Sequence, residues 1–412
     1  MECGLLGEHL SHSFSKSIHE KVGRYPYQLF EVAPGDLSFF LMNKSFKAIN
    51  VTIPYKEKVI PYLDELDESA KIVGAVNCIV NKQGKLIGYN TDMYGFICLL
   101  EHAGIDVSNK NVLVLGNGGA SKAVIGALKY LKAKDIFIAS IGKEENTISY
   151  EEIYNHPEID VIVNATPVGM YPHNEDKELV DLDRFNFLFG VIDVIYNPIR
   201  TKIVLKAKEK GIKAEGGLYM LIAQAYKAIE IFIGKKFSKK EMDQTYREIL
   251  NQNENIVLIG MPSSGKSTIA KALKKQTGLK VIDTDKEIIK IIGMPIKDYF
   301  AKYGEESFRK AEMDIIDKIY QKAPFIISTG GGVIKNKNNI DKFKQNGSIY
   351  FINRSLENLT PTKSRPLSND ENKLKELYQE RLPLYQKYSD IEIDNNSDIN
   401  QAVNKILESR EI

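Results

Sequence analysis

The sequence predicts an α/β protein that contains more than one domain. Short apolar runs alternate with segments of helical periodicity along the chain, which is typical of parallel sheets covered by helices. Two glycine clusters each follow an apolar run, "LGNGGASKA" at residues 115–123 and "GMPSSGKST" at residues 260–268. The length of 412 residues allows roughly two or three domains that each bury a core.

Composition and charge exclude several classes of protein. The net charge of +2 gives no electrostatic reason to expect binding to nucleic acid or to an anionic membrane. The three cysteines are too few and too scattered for a disulfide framework or a zinc site. The first residues lack the pattern of a signal peptide, and no apolar run is long enough to span a membrane. We therefore expect a cytoplasmic protein with small-molecule partners.

The segment at residues 96–215 is predicted to form a Rossmann-like unit. The run "KNVLVLG" predicts a buried strand that enters a glycine turn, and the helix after it presents Ala123, Ala127 and Leu128 on one face. Three further apolar runs predict strands within residues 135–140, 159–167 and 188–198.

The flanking segments define the other predicted domains. Residues 1–95 form a separate section of short strands and turns, completed by helices within residues 216–250. The Asn-rich stretch Asn251–Asn255 predicts a short linker. A second α/β unit with a central parallel sheet is expected at residues 254–412.

The glycine cluster at residue 260 has the spacing of a nucleotide phosphate loop. Gly260, Gly265, Lys266 and Ser267 satisfy G-x-x-x-x-G-K-S between a strand and a helix. Its backbone N–H groups would hold phosphates, with Lys266 at the β/γ-phosphates and Ser267 on Mg²⁺. The predicted ATP-binding residues in this loop are Gly260, Ser263, Ser264, Gly265, Lys266, Ser267 and Thr268.

Several polar residues follow this loop in a fixed order. Asp283 and Asp285 are two apart after an apolar run, and in an extended strand both carboxylates would point into one cleft. Taken singly, such residues are more often surface charges than functional groups. The others are Arg309, the glycines 330–332, Arg365 and Arg381.

Together these motifs resemble shikimate kinase from Gly260 to about Tyr385. The resemblance implies that Asp285, Arg309, Gly331 and Arg381 bind shikimate, with the two arginines on its carboxylate. It also implies that Asp283 supports Mg²⁺ through water and that Asp285 orients the attacking hydroxyl, so that Lys266 and Asp285 act as the catalytic groups. Arg365 would close over the phosphates. The family often has another arginine shortly before "RPL", in the lid that covers the nucleotide. Here that segment offers only Lys363, so we expect the lid to close more weakly over ATP.

Polar motifs also mark the first part of the chain. They are "HLSHSFSKSIHE", "NVTIPYKE", "GAVNCIV" and "GYNTDMYG". Each has a plain structural alternative: the serines as a loop, Lys56 as a solvated lysine, and Asp92 as the N-cap of a helix.

In this order the motifs resemble shikimate dehydrogenase from His12 to about Gly234. The resemblance implies that Lys56 and Asp92 form the catalytic pair that exchanges a proton with the substrate oxygen. The substrate-binding residues that it implies are Ser13, Ser15, Thr52, Lys56, Asn77, Asp92, Tyr196 and Gln224. The cofactor-binding residues that it implies are Gly116, Gly118, Gly119, Ala120, Lys143 and Gly217.

The choice between NADP and NAD is read at the end of the second strand of the Rossmann-like unit. No Asp or Glu occurs at Ala139 or Ser140 to bind a ribose diol, which argues against NAD. The family's usual arginine for the 2′-phosphate is also missing, and Lys143 is the nearest cation. NADP is therefore favoured, and NAD stays open.

The favoured hypothesis is a bifunctional enzyme that reduces 3-dehydroshikimate to shikimate with NADPH and then phosphorylates shikimate with ATP and Mg²⁺. One alternative makes one module a degenerate regulatory domain, which the intact pairs Lys56–Asp92 and Lys266–Asp285 argue against. Another keeps both chemistries but on a related polyol such as quinate, and the serines at 13 and 15 favour shikimate.

Overall fold

The computed structural model describes residues 2–10, 14–142, 144–172, 174, 178–360 and 370–411. The chain divides into two compact units, Met1–Tyr246 and Arg247–Ile412. In the described part of the chain, two sheets lie in the first unit and one in the second. The predicted α/β class with parallel sheets is confirmed.

The first sheet belongs to the N-terminal section and mixes parallel with antiparallel pairs. Its strands are β1 (Glu2–Gly7), β2 (Tyr27–Glu31), β3 (Phe46–Val51), β4 (Glu65–Leu66), β5 (Cys78–Lys82) and β6 (Lys85–Tyr89), in the order β2-β1-β3-β5-β6-β4. β1 pairs parallel with β2 and β3, whereas β5 pairs antiparallel with β3 and β6. Its helices are α1 (Phe14–Ile18), α2 (Leu37–Asn43) and α3 (Glu68–Val73). The carboxyl end of β3 therefore leads directly into the predicted motif at Asn50–Glu57.

The second sheet is the predicted Rossmann-like sheet, and its pairs are parallel. Its strands are β7 (Asn111–Leu115), β8 (Asp135–Ala139), β9 (Val161–Asn164), β10 (Gly190–Asp193) and β11 (Lys213–Glu215), in the order β11-β10-β9-β7-β8. Its helices are α4 (Asp92–Ala103), α5 (Gly119–Tyr130) and α6 (Lys202–Glu209). The sequence analysis missed β11, a short edge strand that has only one fully buried apolar residue, Ala214.

Two helices follow the second sheet. The helix α7 (Leu218–Ile233) buries Ala228 and Phe232 against Cys3 and Cys78 of the first sheet. The helix α8 (Lys239–Asn253) is fixed at its start, where the Tyr226 hydroxyl donates to the Glu241 carbonyl oxygen at 3.0 Å.

The predicted linker at Asn251–Asn255 is wrong. The helix α8 extends to Asn253, and the next strand begins at Asn255. The asparagines make helix-end contacts: the Asn251 amide donates to the Arg410 carbonyl oxygen at 2.7 Å, and the Asn253 amide donates to the Ile249 carbonyl oxygen at 2.8 Å. An Asn-rich composition therefore reflects a helix end here, not an exposed joint.

The third sheet forms the second unit and is parallel. Its strands are β12 (Asn255–Ile259), β13 (Lys280–Asp283), β14 (Phe325–Ser328), β15 (Gly347–Asn353) and β16 (Ile391–Asp394), in the order β13-β14-β12-β15-β16. Its helices are α9 (Lys266–Thr277), α10 (Thr284–Ile292), α11 (Ile296–Ile319), α12 (Lys337–Asn346), α13 (Glu371–Tyr388) and α14 (Ile399–Glu411). The central strand β12 is fully buried, and it ends at the glycine cluster. Parallel strands thus bring several loops to the same edge of the sheet.

Candidate active sites

Lys56 and Asp92 meet in the first unit. Lys56 follows β3 in a turn, and Asp92 is the first residue of α4. The Lys56 Nζ lies 2.7 Å from the Asp92 Oδ2, and the two side chains are 24% and 16% exposed. The N-cap of α4 is Thr91, so the Asp92 carboxylate does not serve as the cap. A partly buried ammonium–carboxylate pair is suited to proton exchange with a ligand oxygen.

Thr91 joins two of the predicted substrate residues. The Asn77 amide donates to the Thr91 hydroxyl at 3.0 Å, and the Thr91 N–H donates to the Asn77 Oδ1 at 2.7 Å. The Thr91 hydroxyl in turn donates to the Gln224 Oε1 at 3.3 Å. Asn77, Asp92 and Gln224 therefore lie around the start of α4. Thr91 lies within "GYNTDMYG" and was not among the predicted site residues.

A second layer of buried polar groups supports Asn77 from within the sheet. The Tyr27 hydroxyl donates to the Asn50 Oδ1 at 2.8 Å, and the Asn50 amide donates to the Asn77 carbonyl oxygen at 3.2 Å. Both side chains are buried. The sequence analysis missed Asn50, although a polar residue inside the apolar strand "FKAINV" is a usable signal because a buried amide needs partners.

The remaining predicted substrate residues lie on α1, directly after β3 and in the chain after β10. The Phe14 ring lies edge-on to Tyr196 with centroids 5.8 Å apart, which brings Ser15 on α1 into the neighbourhood of Tyr196. Thr52 directly follows β3, where its N–H donates to the Leu6 carbonyl oxygen at 2.9 Å. Partial desolvation raises the pKa of the Tyr196 hydroxyl, although the residue is still 38% exposed, and a phenol can donate a hydrogen bond to a ligand. Ser13 lies outside the described residues.

The glycine cluster at 115–123 forms an open turn between β7 and α5. Gly116 has a φ of 95°, a backbone conformation that residues other than glycine rarely adopt. A Cβ added at Gly118 or Gly119 would meet nothing within 4 Å, so the space beside this backbone is open. This geometry fits a dinucleotide pyrophosphate, which helix N-termini bind through such groups.

Ser121, which is outside the predicted cofactor set, and Gly217, which is in it, each have a structural reason for their residue type. Ser121 stands where the motif usually has its third glycine, and its hydroxyl donates to the Gly118 carbonyl oxygen at 2.7 Å, which fixes the turn. At Gly217, an added Cβ would lie 2.0 Å from the Val194 carbonyl oxygen, so only glycine fits between α7 and the chain after β10. Ala120 lies in the first turn of α5.

The end of β8 carries an unexpected carboxylate. The Asn117 amide, within the glycine turn, donates to the Glu144 Oε2. Ala139, the last residue of β8, is buried, and neither it nor Ser140 carries a charge. Lys143, the predicted cation for a 2′-phosphate, lies outside the described residues.

In the second unit, the phosphate loop has the expected strand–loop–helix setting. Gly260 and Gly265 have φ values of 147° and 96°, and α9 begins at Lys266. The Lys266 Nζ donates to the carbonyl oxygens of Gly260 and Met261, each at 2.8 Å. An ammonium has three donors that can rotate, so Lys266 can exchange these carbonyls for phosphate oxygens.

The other residues of the phosphate loop contact three different parts of the second unit. The Ser263 hydroxyl donates to the Thr360 carbonyl oxygen at 2.9 Å, and the Ser267 Oγ lies 3.5 Å from the Ser328 Oγ. Ser264 is fully buried, and Thr268 lies in the first turn of α9. Sequence reasoning missed Asn395, whose amide donates to the Ser264 carbonyl oxygen at 2.7 Å and holds the loop from the end of β16. Arg365 lies outside the described residues.

The reason given for pairing Asp283 with Asp285 is wrong. β13 ends at Asp283, and α10 begins at Thr284, so the two residues do not share an extended strand. The Asp283 Oδ1 accepts from the Lys286 N–H at 3.3 Å and caps the helix. The Asp285 Oδ1 lies 2.5 Å from the position of a Cβ added at Gly330, so the glycine turn allows this carboxylate to come close.

The predicted arginines converge on the same glycine turn. The Arg381 Nη1 donates to the Gly331 carbonyl oxygen at 3.0 Å, and the Tyr385 hydroxyl donates to the same oxygen at 2.5 Å. A Cβ added at Gly332 would lie 2.2 Å from the Arg309 Nη2. Arg381 is only 3% exposed, yet its Nε and Nη2 have no hydrogen-bond partner among the described residues.

Glu312 completes this cluster and was not assigned from the sequence. The Arg309 Nη1 donates to the Glu312 Oε2 at 2.9 Å, while the Glu312 Oε1 has no partner among the described residues. Burial raises the pKa of Glu312; Arg309 opposes this rise, and Asp285 adds to it. The last residue of the motif G-E-x-x-F-R-x-x-E was the signal for it.

Metal-binding clusters and membrane-spanning helices are both absent from the described residues. Within those ranges, no group of three or more His, Cys, Asp or Glu side chains is placed to hold a metal ion. Over the same residues, no helix is long and apolar enough to cross a membrane.

Two family models match the chain. The model described as "Shikimate dehydrogenase substrate binding domain" matches residues 5–79, and the one described as "Shikimate kinase" matches residues 262–411. A shikimate dehydrogenase (NADP(+)) of Clostridium perfringens is 39% identical over 264 residues, which are 60% of this chain and 97% of that protein.

Solved structures show the same relationship for the first unit. A chorismate mutase/shikimate 5-dehydrogenase fusion protein from Clostridium acetobutylicum matches with a TM-score of 0.56 and 37% identity, over 60% of this chain and 96% of that chain. A quinate dehydrogenase from Corynebacterium glutamicum, solved in complex with NAD, matches with a TM-score of 0.54 and 28% identity, over 60% of this chain and 99% of that chain.

Proposed function

The chain belongs to the shikimate dehydrogenase family and carries a shikimate kinase domain, and we propose that it catalyses two consecutive reactions on one carbon skeleton. The first unit reduces 3-dehydroshikimate to shikimate, and the second transfers a phosphoryl group from ATP to shikimate. The product of the first site is the substrate of the second. The observation that carries this proposal is that each unit contains a glycine loop and its own cluster of charged side chains, Lys56 with Asp92 in the first and Arg309 with Glu312 in the second.

In the dehydrogenase site, Lys56 and Asp92 are the proposed catalytic residues. NADPH supplies the hydride when it is bound. Lys56 then donates a proton to the oxygen that develops negative charge, and Asp92 orients the ammonium group through their 2.7 Å contact. Asn77 and Gln224, held together by Thr91, are proposed to bind the hydroxyl groups of the ring.

The other dehydrogenase residues complete the proposed substrate and cofactor sites. Ser13, Ser15 and Tyr196 are proposed to bind the carboxylate, and Thr52 a hydroxyl group. Gly116, Gly118, Gly119 and Ala120 would hold the pyrophosphate of the cofactor, Gly217 is proposed to contact the cofactor, and Lys143 is the proposed cation for the 2′-phosphate. The open backbone at Gly118 and Gly119 supports this arrangement.

In the kinase site, the proposed carboxylate clamp consists of Arg309 and Arg381. A planar guanidinium donates two parallel hydrogen bonds to a carboxylate, and the partnerless buried Nε and Nη2 of Arg381 offer such a pair. Asp285 is proposed to accept the proton of the attacking hydroxyl. Gly331 is proposed to contact shikimate, while its carbonyl oxygen positions Arg381.

Nucleotide binding is assigned to the loop from Gly260 to Thr268 and to Arg365. Lys266 neutralises charge on the phosphates during transfer. We propose that Mg²⁺ is held by Ser267 and the phosphates, with Asp283 acting through water. A site with few protein ligands suits Mg²⁺, which keeps several waters.

The domain limits are also a proposal. Residues 1–95, completed by helices within 216–250, bind the substrate of the first reaction, and residues 96–215 bind its cofactor. We place the start of the kinase domain near Arg247 instead of residue 254, since Asn251 and Glu254 both contact Arg410 of α14.

We also propose a cytosolic location, which the three unpaired, buried cysteines support.

Two separate assays of the purified chain test the proposed function. The first follows loss of NADPH absorbance with 3-dehydroshikimate, and the second follows ADP release from ATP and Mg²⁺ with shikimate. Both activities are expected. If the first unit reduced 3-dehydroquinate and not 3-dehydroshikimate, its reaction would belong to quinate chemistry. If no ADP were released in the second assay, the second unit would be a binding domain and not a kinase.

A further inference from the structure

The first unit contains a fully buried carboxylate to which the proposed reaction gives no role. Asp193 is the last residue of β10 and is 0% exposed. Burial raises the pKa of Asp193 to about 6, although three hydrogen bonds oppose this rise. The group is therefore mainly ionised at neutral pH. Because a buried carboxylate is costly unless donors satisfy it, its charge constrains where those donors lie.

The three donors to Asp193 come from three segments of the chain. The Ile195 N–H donates to its Oδ1 at 3.0 Å, and the Thr201 hydroxyl donates to its Oδ2 at 2.6 Å. The Asn164 amide donates to the same Oδ2 at 3.1 Å. Ile195 lies in the turn after β10, Thr201 precedes α6, and Asn164 is the last residue of β9. One carboxylate thus joins two strand ends and a helix start.

The Thr201 hydroxyl is committed to this contact. Thr201 is the N-cap residue of α6, where a threonine side chain usually accepts a hydrogen bond from an N–H of the first helical turn. Here the side chain makes no capping bond and donates to Asp193 instead. The helix therefore forgoes the stabilisation of a cap, and the contact with Asp193 takes its place.

The turn after β10 carries Tyr196, which is proposed to bind the substrate carboxylate. The residue before it is tied at both backbone groups: the Ile195 N–H donates to Asp193, and the Ile195 carbonyl oxygen accepts from the Gly217 N–H at 2.8 Å. The Tyr196 side chain is 38% exposed, and its ring lies edge-on to Phe14. The position of its hydroxyl therefore depends on the backbone that Asp193 holds.

We propose that Asp193 is a positioning residue of the dehydrogenase site, which holds the turn at residues 194–197 so that the Tyr196 hydroxyl meets the carboxylate of the substrate. This inference rests on the proposed function, because the substrate contact of Tyr196 belongs to it. Asp193 is buried and acts through the backbone of Ile195, while Thr201 and Asn164 hold its carboxylate in place. Loss of Asp193 acts on substrate affinity and leaves the proton transfer by Lys56 intact.

Steady-state kinetics of 3-dehydroshikimate reduction by the full chain test the proposal. Tyr196→Phe should raise KM for 3-dehydroshikimate about 10–100-fold, as expected for loss of a hydrogen bond to a charged group. Asp193→Asn should raise the same KM about tenfold, while kcat stays within about threefold because the lost contact binds substrate and transition state alike. The double variant should be no worse than Tyr196→Phe alone, because Asp193 acts through Tyr196.

A milder pair of variants tests the same contact if Asp193→Asn does not fold. Thr201→Val keeps the branched side chain but removes the donor, and it should raise KM about fivefold. Thr201→Ser keeps the hydroxyl, and its KM should stay within about twofold of wild type. The matched control is Asp106→Asn. Asp106 is exposed, and its Oδ1 accepts from the Ser108 N–H at 2.9 Å, so the control alters a similar local turn away from β10.

Multiplication of the two single effects in the double variant would overturn the proposal, because Asp193 and Tyr196 would then act independently. A folded Asp193→Asn with wild-type KM would do the same, as would equal KM values for Thr201→Val and Thr201→Ser.

The proposed function fails in a different way, if the wild-type chain does not reduce 3-dehydroshikimate. Crystal structures then decide on Asp193 without any activity. In Thr201→Val the Tyr196 hydroxyl should be displaced by about 1 Å, a shift large enough to weaken a contact with substrate. A hydroxyl that has not moved from its wild-type position would contradict the positioning role.

Discussion

The two candidate sites differ in how their charged groups are satisfied. In the dehydrogenase site, Lys56 and Asp92 bind each other, and the polar groups around them form a continuous set of hydrogen bonds from Tyr27 to Gln224. In the kinase site, Arg381 and Glu312 are buried with atoms that lack partners among the described residues. The first site is thus organised by its own side chains, whereas the second is organised around groups that a ligand must satisfy.

This difference predicts how variants should behave. Loss of a group from a self-contained pair should act mainly on turnover, because the remaining network still shapes the binding site. Loss of a group with free donors should act mainly on ligand affinity, because its unsatisfied hydrogen bonds are what the ligand completes.

The largest effect is expected for Lys56→Ala. Dehydrogenase kcat should fall about 10²–10⁴-fold, since that is the usual contribution of proton transfer, while kinase activity stays within about twofold. Steady-state assays of both activities measure this. Lys58→Ala, two residues away and exposed, serves as the control and should leave both activities near wild type. Equal loss of both activities in Lys56→Ala would show that the two sites are not independent.

Arg381→Lys should be the next most damaging change. A lysine keeps the charge but not the planar pair of donors, so KM for shikimate should rise about 10–100-fold, as expected for loss of a hydrogen bond to a charged group. KM for ATP should change much less. The comparison variant is Tyr385→Phe, which removes the other donor to the Gly331 carbonyl oxygen but leaves the guanidinium in place. Normal saturation by shikimate in Arg381→Lys would remove Arg381 from the site.

A smaller effect is expected on the melting temperature of an isolated kinase domain, depending on the residue at which the fragment begins. A fragment that begins at Arg247 keeps Asn251 and Glu254 beside Arg410, whose side chain is 8% exposed, whereas one that begins at Asn255 loses both. The shorter fragment should melt several degrees lower, because each unsatisfied buried group costs about 1–3 kcal/mol and 1 kcal/mol shifts Tm by about 2–4 °C in a domain of this size. Equal melting temperatures would show that Asn251 and Glu254 add no stability and would move the start of the kinase domain to Asn255.

The smallest effect is expected for Tyr27→Phe. It removes the donor to the Asn50 Oδ1 and should lower the free energy of unfolding of the first unit by about 1–2 kcal/mol. KM for shikimate should rise only slightly, because Asn50 supports Asn77 from behind and touches no ligand. Chemical denaturation and dehydrogenase kinetics test the two parts. A large loss of kcat would mean that Tyr27 does more than hold Asn50.

The sequence was informative where the chemistry is local. Gly260, Gly265 and Lys266 lie within one turn of chain, and their spacing alone indicated a strand, a phosphate loop and a helix, as observed. The approach of Lys56 to Asp92 was different: the residues are 36 positions apart, and only the resemblance to a family brought them together.

Other features could not be derived because they depend on partners distant in the chain. Asn395 and Ser264 are 131 positions apart, and Asn251 and Arg410 are 159 apart, so neither contact leaves a local pattern. The same limit explains the wrong linker, since the composition of Asn251–Asn255 suits both an exposed joint and a helix end. The error at Asp283 was local: an aspartate after a strand also suits a helix N-cap.

The most direct test of the central claim is one reaction that contains the purified chain, 3-dehydroshikimate, NADPH, ATP and Mg²⁺. Mass spectrometry follows 3-dehydroshikimate, shikimate and shikimate 3-phosphate over time, while NADPH and ADP are measured in parallel. The account predicts transient shikimate, shikimate 3-phosphate as the final product, and equal amounts of NADPH consumed and ADP formed. The account would be contradicted if shikimate accumulated without formation of ADP. It would also be contradicted if ADP formed only after shikimate was added and never from 3-dehydroshikimate.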